Sequence, residues 1–125
     1  MVGGSLEGKR VLVVEDEFLI AHDLRRALVA LDAEVVGPVS NLPAGLALLE
    51  TERIDAVVID VNLCGTMSFP LADLLHDAGV PMVFVTGYDD WVLPAKFAEH
   101  PLIRKPFACA DVTNVIQRMC LSGQD

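Results

Sequence analysis

Three kinds of reactive side chain stand directly after short apolar runs of this sequence. An acidic stretch, residues 15–17, follows the first run, and Asp60 closes a later one. Thr86 closes the next run, and Lys105 follows the last. A carboxylate can attack phosphorus while a bound cation and an ammonium group neutralise the phosphoryl oxygens. These residue types therefore indicate phosphoryl transfer, provided that the fold brings them together.

The acidic residues also indicate a metal site. Carboxylates that share one site repel one another and raise each other's pKa, so their clustering needs a compensating cation. Oxygen ligands with retained water favour Mg2+ over zinc or copper. His22, His76 and His100 are single and separated in the sequence, and no His-rich set competes. No glycine-rich phosphate loop follows the first apolar run, which argues against a nucleotide as phosphoryl donor.

The elements that must position these residues follow from the apolar pattern. Continuous apolar runs predict strands that are buried on both faces, as in a parallel sheet. Three runs are strong and two, at 34–39 and 102–103, are weaker. The strong runs are Val11–Val14, Ala56–Ile59 and Met82–Val85.

Apolar residues at helical spacing lie between the runs. Four stripes predict helices, and a fifth, Pro-interrupted segment spans Tyr88–Phe97. The stripes are Ile20, Leu24, Ala27, Leu28 and Leu31; Leu42, Leu46 and Leu49; Leu71, Leu74, Leu75 and Ala78; and Val112, Val115, Ile116 and Met119. The alternation predicts an α/β fold, a doubly wound five-stranded parallel sheet of order 2-1-3-4-5. Its site would lie at the carboxyl ends of the strands.

Composition narrows the class of protein. The chain has 125 residues, of which 53% are hydrophobic, enough for one domain with a buried core. Its net charge of −9 argues against nucleic acid as a direct partner. No apolar run approaches the roughly 20 residues that span a bilayer, and three unpaired cysteines favour the cytoplasm. We expect one domain over residues 9–121, with flexible termini at 1–8 and 122–125.

Four segments resemble, in order and spacing, the signatures of the response-regulator receiver domain, whose fold is CheY-like. They are Val13–Glu17, Val58–Leu63, Val85–Gly87 and Lys105–Phe107. The stretch Pro81–Asp89 also looks like a receiver subfamily of alphaproteobacteria with a Phe-Ala-Thr-Gly-(Gly or Tyr) motif. Those proteins are usually stand-alone receivers. Here Val85 replaces the alanine.

The resemblance implies a role for each matching residue. Asp60 would accept a phosphoryl group from a histidine kinase or phosphotransfer protein. Glu15, Asp16, Asp60 and the backbone carbonyl of Asn62 would ligate Mg2+. Thr86 and Lys105 would bind the phosphoryl oxygens, and Thr86 would move inward during switching. The Lys105–Pro106 bond is expected to be cis.

Positions beside these residues are expected to tune the chemistry. A residue larger than Ala at Gly87 would crowd the phosphoryl group. Tyr88 and Asn62 stand two places after Thr86 and Asp60, along the path of hydrolytic water, and bulky Tyr88 is expected to slow self-dephosphorylation. Leu102 stands where most receivers have a switch aromatic, so a Tyr or Phe rotamer change coupled to Thr86 is not possible.

The sequence therefore predicts a signalling switch and not an enzyme. Its output would pass to an unknown downstream protein, or it would serve as a phosphate sink, as a monomer or weak homodimer. An alternative is a receiver excised from a larger regulator or hybrid kinase. An aspartyl-phosphate phosphatase would need an acid at Asn62, and a flavin-binding module would need a hydroxyl-rich loop where the acidic stretch 15–17 stands.

Overall fold

Five parallel strands form the centre of this computed structural model, which describes residues 6–87 and 93–122. Two further short strands form an antiparallel hairpin after the third strand, which the sequence analysis did not predict. In chain order the strands are β1 (Arg10–Val14), β2 (Glu34–Val39), β3 (Ala56–Asp60), β4 (Asn62–Leu63), β5 (Thr66–Met67), β6 (Met82–Thr86) and β7 (Leu102–Arg104).

The sheet has the order β2-β1-β3-β6-β7, so the predicted order 2-1-3-4-5 of its five strands is confirmed. Valine and isoleucine dominate the central strands because branched side chains pack well on a pleated, fully buried surface. β1, β3 and β6 are buried along nearly their whole length, whereas β2 and β7 at the edges are partly exposed.

Four α-helices cover the sheet at the predicted places. They are α1 (Phe18–Val29), α2 (Leu42–Leu49), α3 (Phe69–Asp77) and α4 (Cys109–Ser122). The predicted helix over Tyr88–Phe97 lies partly outside the described residues. Its described part contains only a 3-10 turn, Ala95–Phe97, after Pro94, so the prediction of an α-helix was wrong there. Proline lacks a backbone N–H and fits only the start of such a turn.

Alternate residues of β1 separate the core into two layers. Val11 and Val13 pack with Leu24 of α1 and Ile116 of α4. Leu12 and Val14 face the other side, where α2 and α3 pack. This two-sided burial explains why the strands read as continuous apolar runs.

Three single residues refine the predicted core. Phe97 is buried, whereas Leu74 of the third stripe is 53% exposed and does not belong to the core. Leu6 is buried, and its backbone N–H donates to the Leu31 carbonyl at 3.1 Å. The domain bounds 9–121 stay a prediction.

Within residues 6–87 and 93–122, no helix is both long and apolar enough to cross a membrane.

The strand register aligns the carboxyl ends of the sheet. Asp60, the last residue of β3, pairs with Val85, and Thr86, the last residue of β6, pairs with Arg104. The backbone N–H of Glu15 donates to the Val39 carbonyl at 3.0 Å, at the ends of β1 and β2. The residues that follow these strands therefore meet at one edge.

Candidate functional site

An acidic cluster lies at the carboxyl edge of the sheet. Glu15 and Asp16 follow β1, and Asp60 ends β3. One carboxylate oxygen of each lies within 4.8 Å of the others, which is close enough to share one ion. Glu15 is 2% exposed and Asp60 3%, so two of the three acids are almost fully withdrawn from water. The structure thus brings together the three side chains that the sequence predicted as metal ligands.

The Lys105 ammonium lies among the carboxylates. Its Nζ is 2.7 Å from Asp60 Oδ2, 3.1 Å from Glu15 Oε2 and 2.5 Å from Glu17 Oε1. The backbone N–H of Lys105 donates to the Thr86 carbonyl at 2.7 Å, which fixes the lysine beside the end of β6. The Lys105–Pro106 bond is cis, as expected. Lys105 therefore compensates part of the negative charge at the edge.

Burial and the neighbouring acid dominate the electrostatics of Glu15. Burial disfavours its charged form, and the hydrogen bond and repulsion from Asp60 add to this. Hydrogen bonds from the Glu17 backbone N–H and from Lys105 oppose them only in part, and the pKa of Glu15 is raised from 4.5 to about 8. Glu15 in the metal-free protein therefore holds its proton near neutral pH.

The pKa of Lys105 moves for a different reason. Burial alone would lower it, but hydrogen bonds to Asp60 and Glu17 outweigh that effect and raise the pKa above its ordinary value. Lys105 is therefore charged over the whole physiological pH range.

One buried atom tests whether a cation fits this cluster. Glu15 Oε1 is buried and has no hydrogen-bond partner among the described residues. A buried carboxylate oxygen without a partner is costly unless something binds it. The cluster offers only oxygen donors, with carboxylates from two strand ends, which suits a hard cation such as Mg2+. The residues present therefore fit the predicted ion.

The loop after β3 holds the Asp60 carboxylate in place. Asp60 Oδ1 accepts the backbone N–H of Asn62 at 2.9 Å, and its Oδ2 faces Lys105. The Asn62 side-chain oxygen accepts the Gly65 N–H at 2.6 Å and closes the unpredicted hairpin β4–β5. This hairpin keeps the Asn62 backbone beside Asp60, near its predicted place as a ligand.

The remaining predicted residues lie around the same cleft. Thr86 is 1% exposed at the end of β6. A Cβ at Gly87 would lie 3.8 Å from Lys105 Cδ, an ordinary contact, so the position accepts a methyl group. Leu102 of β7 is partly buried and packs on the α2–α3 side of the sheet. Tyr88 lies outside the described residues.

Sequence reasoning missed two residues of the site. No site role was predicted for Glu17, yet its carboxylate contacts Lys105. No site role was predicted for Cys64 either, but it is exposed, lines the cleft, and donates its thiol hydrogen to Asp16 Oδ2 at 2.9 Å. That hydrogen bond raises the pKa of Cys64. The acidic stretch 15–17 and Lys105 were predicted to meet at one edge of the sheet, and this could have indicated the contact of Glu17. Nothing in the sequence indicated the contact of Cys64.

Comparison with known proteins assigns a family to this arrangement. The family model described as the response regulator receiver domain matches residues 11–117. The phyllosphere-induced regulator PhyR of Methylorubrum extorquens is 32% identical over 112 residues, which cover 86% of this chain and 42% of that protein. The chain spans about half the length of the curated relatives that it matches.

Solved structures agree with this family. The solution structure of SdrG from Sphingomonas melonis Fr1 is 38% identical with a TM-score of 0.76, covering 86% of this chain and 92% of that one. The solution structure of the BeF3-activated conformation of SdrG from Pseudomonas melonis Fr1 has 35% sequence identity and a TM-score of 0.72. The match covers 96% of this chain and 99% of that one.

Proposed function

Because the chain belongs to the response regulator receiver domain family, we propose that Asp60 is the residue that accepts a phosphoryl group. A two-component receiver takes this group from a histidine kinase or a histidine phosphotransfer protein. The observation that carries the proposal is the position of Asp60, with Oδ2 at 2.7 Å from Lys105 Nζ inside the acidic cluster. Residues of this type at this spacing support attack on phosphorus.

The transfer makes one bond and breaks one. An Asp60 carboxylate oxygen supplies the electron pair of a new O–P bond, and the P–N bond of the donor's phosphohistidine breaks. The leaving imidazole keeps that electron pair and takes up a proton from solvent. Lys105 moves its charge from the Asp60 oxygen to a phosphoryl oxygen, and the Thr86 hydroxyl donates to another.

Mg2+ is the cofactor that we propose for this site. Glu15, Asp16, Asp60 and the backbone carbonyl of Asn62 would hold it. When bound, the ion would supply positive charge against the phosphoryl oxygens, in addition to Lys105. Glu15 must lose its proton to become a ligand, since its pKa is raised in the metal-free protein.

The relative SdrG supports a switching role. It has a BeF3-activated conformation, and a trifluoroberyllate group has the tetrahedral shape of a phosphoryl group. We infer that phosphorylation of Asp60 shifts this chain between two pre-existing conformations. Leu102 excludes a switch that depends on an aromatic ring at its position. The switch acts on a downstream protein, on another part of a longer chain, or as a phosphate sink in the cytoplasm.

The test measures intact mass after incubation with acetyl phosphate and MgCl2. Wild type is expected to gain one phosphoryl group, and Asp60→Asn none. Asp32→Asn is the matched control because Asp32 is exposed, lies in the loop before β2 at the opposite edge, and has a φ of 68° that asparagine tolerates. Phosphorylation that persists in Asp60→Asn, or that is lost in Asp32→Asn, would contradict the proposal.

A further inference from the structure

Two histidines form a pair that is separate from the acidic cluster. His76 lies in the last turn of α3, and His100 lies just before β7. His76 Nδ1 and His100 Nε2 are 2.9 Å apart. The two residues are 24 positions apart in the sequence, and the fold brings them together. His100 precedes β7 and His76 precedes β6, so the pair lies toward the amino-terminal edge of the sheet, opposite Asp60.

Buried aromatic rings hold both imidazoles in place. The His76 ring meets Phe97 edge to face with centroids 5.7 Å apart, and the His100 ring meets Phe84 in the same way at 6.0 Å. Phe84 and Phe97 are buried, whereas the two histidines are only partly buried. The core therefore positions the facing nitrogens, and both histidines keep part of their surface in contact with solvent.

The backbone of Met82 is a second polar neighbour of His100, and a hydrogen bond to it raises the pKa of His100. Because Nε2 faces His76, we assign this hydrogen bond to Nδ1–H. A backbone acceptor on one ring nitrogen is the arrangement that aims the lone pair of the other nitrogen in metal sites. Burial and His76 lower the pKa of His100, which keeps that lone pair available at neutral pH.

The charges around the pair also favour a cation. Lys96 forms ion pairs with Asp73 and Asp77, which flank His76 on α3. The negative charge of Glu99, which precedes His100 in the chain, raises the pKa of His100. Along the two segments that carry the histidines, these three carboxylates outnumber the one ammonium.

We propose that His76 and His100 bind a transition-metal cation that prefers imidazole ligands, namely Zn2+ or Cu2+. Zinc–imidazole bonds of 2.0–2.1 Å place two nitrogens of a tetrahedral ion about 3.3 Å apart. The present 2.9 Å separation needs to open by only a few tenths of an ångström. Among residues 6–87 and 93–122 no third His, Cys, Asp or Glu joins the pair, so water completes the coordination.

Binding requires one proton to move and none to leave. In the neutral pair His76 donates Nδ1–H to the lone pair of His100 Nε2. The ion takes both facing lone pairs when that proton transfers to His76 Nε2 through solvent. The bound ion would join the end of α3 to the segment that leads into β7, and so would stabilise the fold.

The test uses the full chain, freed of metal with EDTA and then held in excess MgCl2 so that the acidic cluster is occupied. ZnCl2 titration is expected to raise the melting temperature of wild type with one-to-one stoichiometry. His76→Gln and His100→Gln should each weaken the Zn2+ response at least tenfold. His22→Gln is the matched control, since His22 is exposed on α1, and it should respond like wild type.

Nuclear magnetic resonance of the imidazole rings tests the same proposal on the wild-type protein, without any substitution. Zn2+ should shift the ring signals of His76 and His100 in wild type and leave those of His22 unchanged, and Cu2+ should show coupling to two nitrogens in its electron paramagnetic resonance spectrum. A pair that titrates with pH but gives neither a Zn2+ shift nor a melting response would overturn the proposal. Equal loss in His22→Gln would overturn it too.

Discussion

Lys105 shares its charge with more carboxylates than one ammonium can neutralise. Asp60 and Glu15 are buried, while the Glu17 side chain is 56% exposed. Glu17 is therefore the partner that Lys105 can exchange at least cost, because an exposed ion pair contributes about 1 kcal/mol or less. In the transfer that we propose, Lys105 turns from the Asp60 oxygen to a phosphoryl oxygen, and Glu17 competes with the phosphoryl group for the same ammonium.

Removal of the Glu17 charge should therefore accelerate the reaction. In Glu17→Gln, Lys105 is released from one competitor and the cleft repels an anionic donor less. We expect about a two- to fivefold increase in the phosphorylation rate with acetyl phosphate, which corresponds to the loss of an exposed ion pair. Stopped-time mass measurement gives the rate. Glu50→Gln, at an exposed position after α2, should leave it unchanged, and a slower Glu17→Gln protein would show that Glu17 assists Lys105 instead.

At the scale of single elements, the start of α2 depends on Asn41, the residue that precedes the helix. The Asn41 side-chain oxygen accepts the Ala44 N–H at 2.9 Å, which satisfies one of the backbone donors left free at a helix start. Pro43 fits the first turn because a missing N–H costs nothing there. The short helix thus begins where its cap and proline place it, on the side of the sheet that lacks α1 and α4.

Loss of this cap should affect stability and leave the site alone. Asn41→Ala is expected to lower the free energy of unfolding by about 1 kcal/mol, and Asn41→Ser should restore most of it. Urea denaturation measures the change. The phosphorylation rate should stay at the wild-type value because α2 contributes no residue to the cleft. An Asn41→Ala protein of wild-type stability would show that packing alone fixes the start of α2.

At the scale of the whole molecule, the acidic cluster couples folding to pH. The folded metal-free protein holds a proton on Glu15 up to about pH 8, whereas an unfolded chain releases it near 4.5. The folded state thus binds more protons between these values, so its stability must fall as pH rises through that range. Below about pH 6.5 the lowered pKa of His100 acts in the opposite direction, because there the unfolded chain binds the extra proton.

Between pH 6.5 and 8, the pH dependence of stability is therefore expected to come from Glu15 and not from His100. In EDTA, the free energy of unfolding of wild type should decrease across this range, on the order of 1 kcal/mol per pH unit. Glu15→Gln should remove the slope, Asp60→Asn should reduce it by removing the repelling charge, and Glu50→Gln should keep it. With MgCl2 the affinity for the ion should rise with pH, since binding needs ionised Glu15. A wild-type slope that is flat or rising in EDTA would contradict the raised pKa of Glu15.

The sequence by itself determined the sheet and the edge at which the acidic residues and Lys105 meet. Continuous apolar runs can be buried only between two helical layers, and their alternation with helical stripes indicated a doubly wound sheet of this order. Because parallel strands end at one edge, the places of Glu15, Asp16, Asp60 and Lys105 along the chain were enough to predict that they meet.

Only the tertiary structure decided the contacts that depend on direction and distance. Two-residue strands such as those of the β4–β5 hairpin carry no periodicity, so their pairing was not readable. Pro94 and the 3-10 turn replaced part of a predicted helix because local hydrogen bonding outweighed apolar spacing. The contact between Glu17 and Lys105 joins residues 88 positions apart, and the contact between His76 and His100 joins residues 24 positions apart. Such contacts arise from packing in three dimensions, which no local pattern of residue types records.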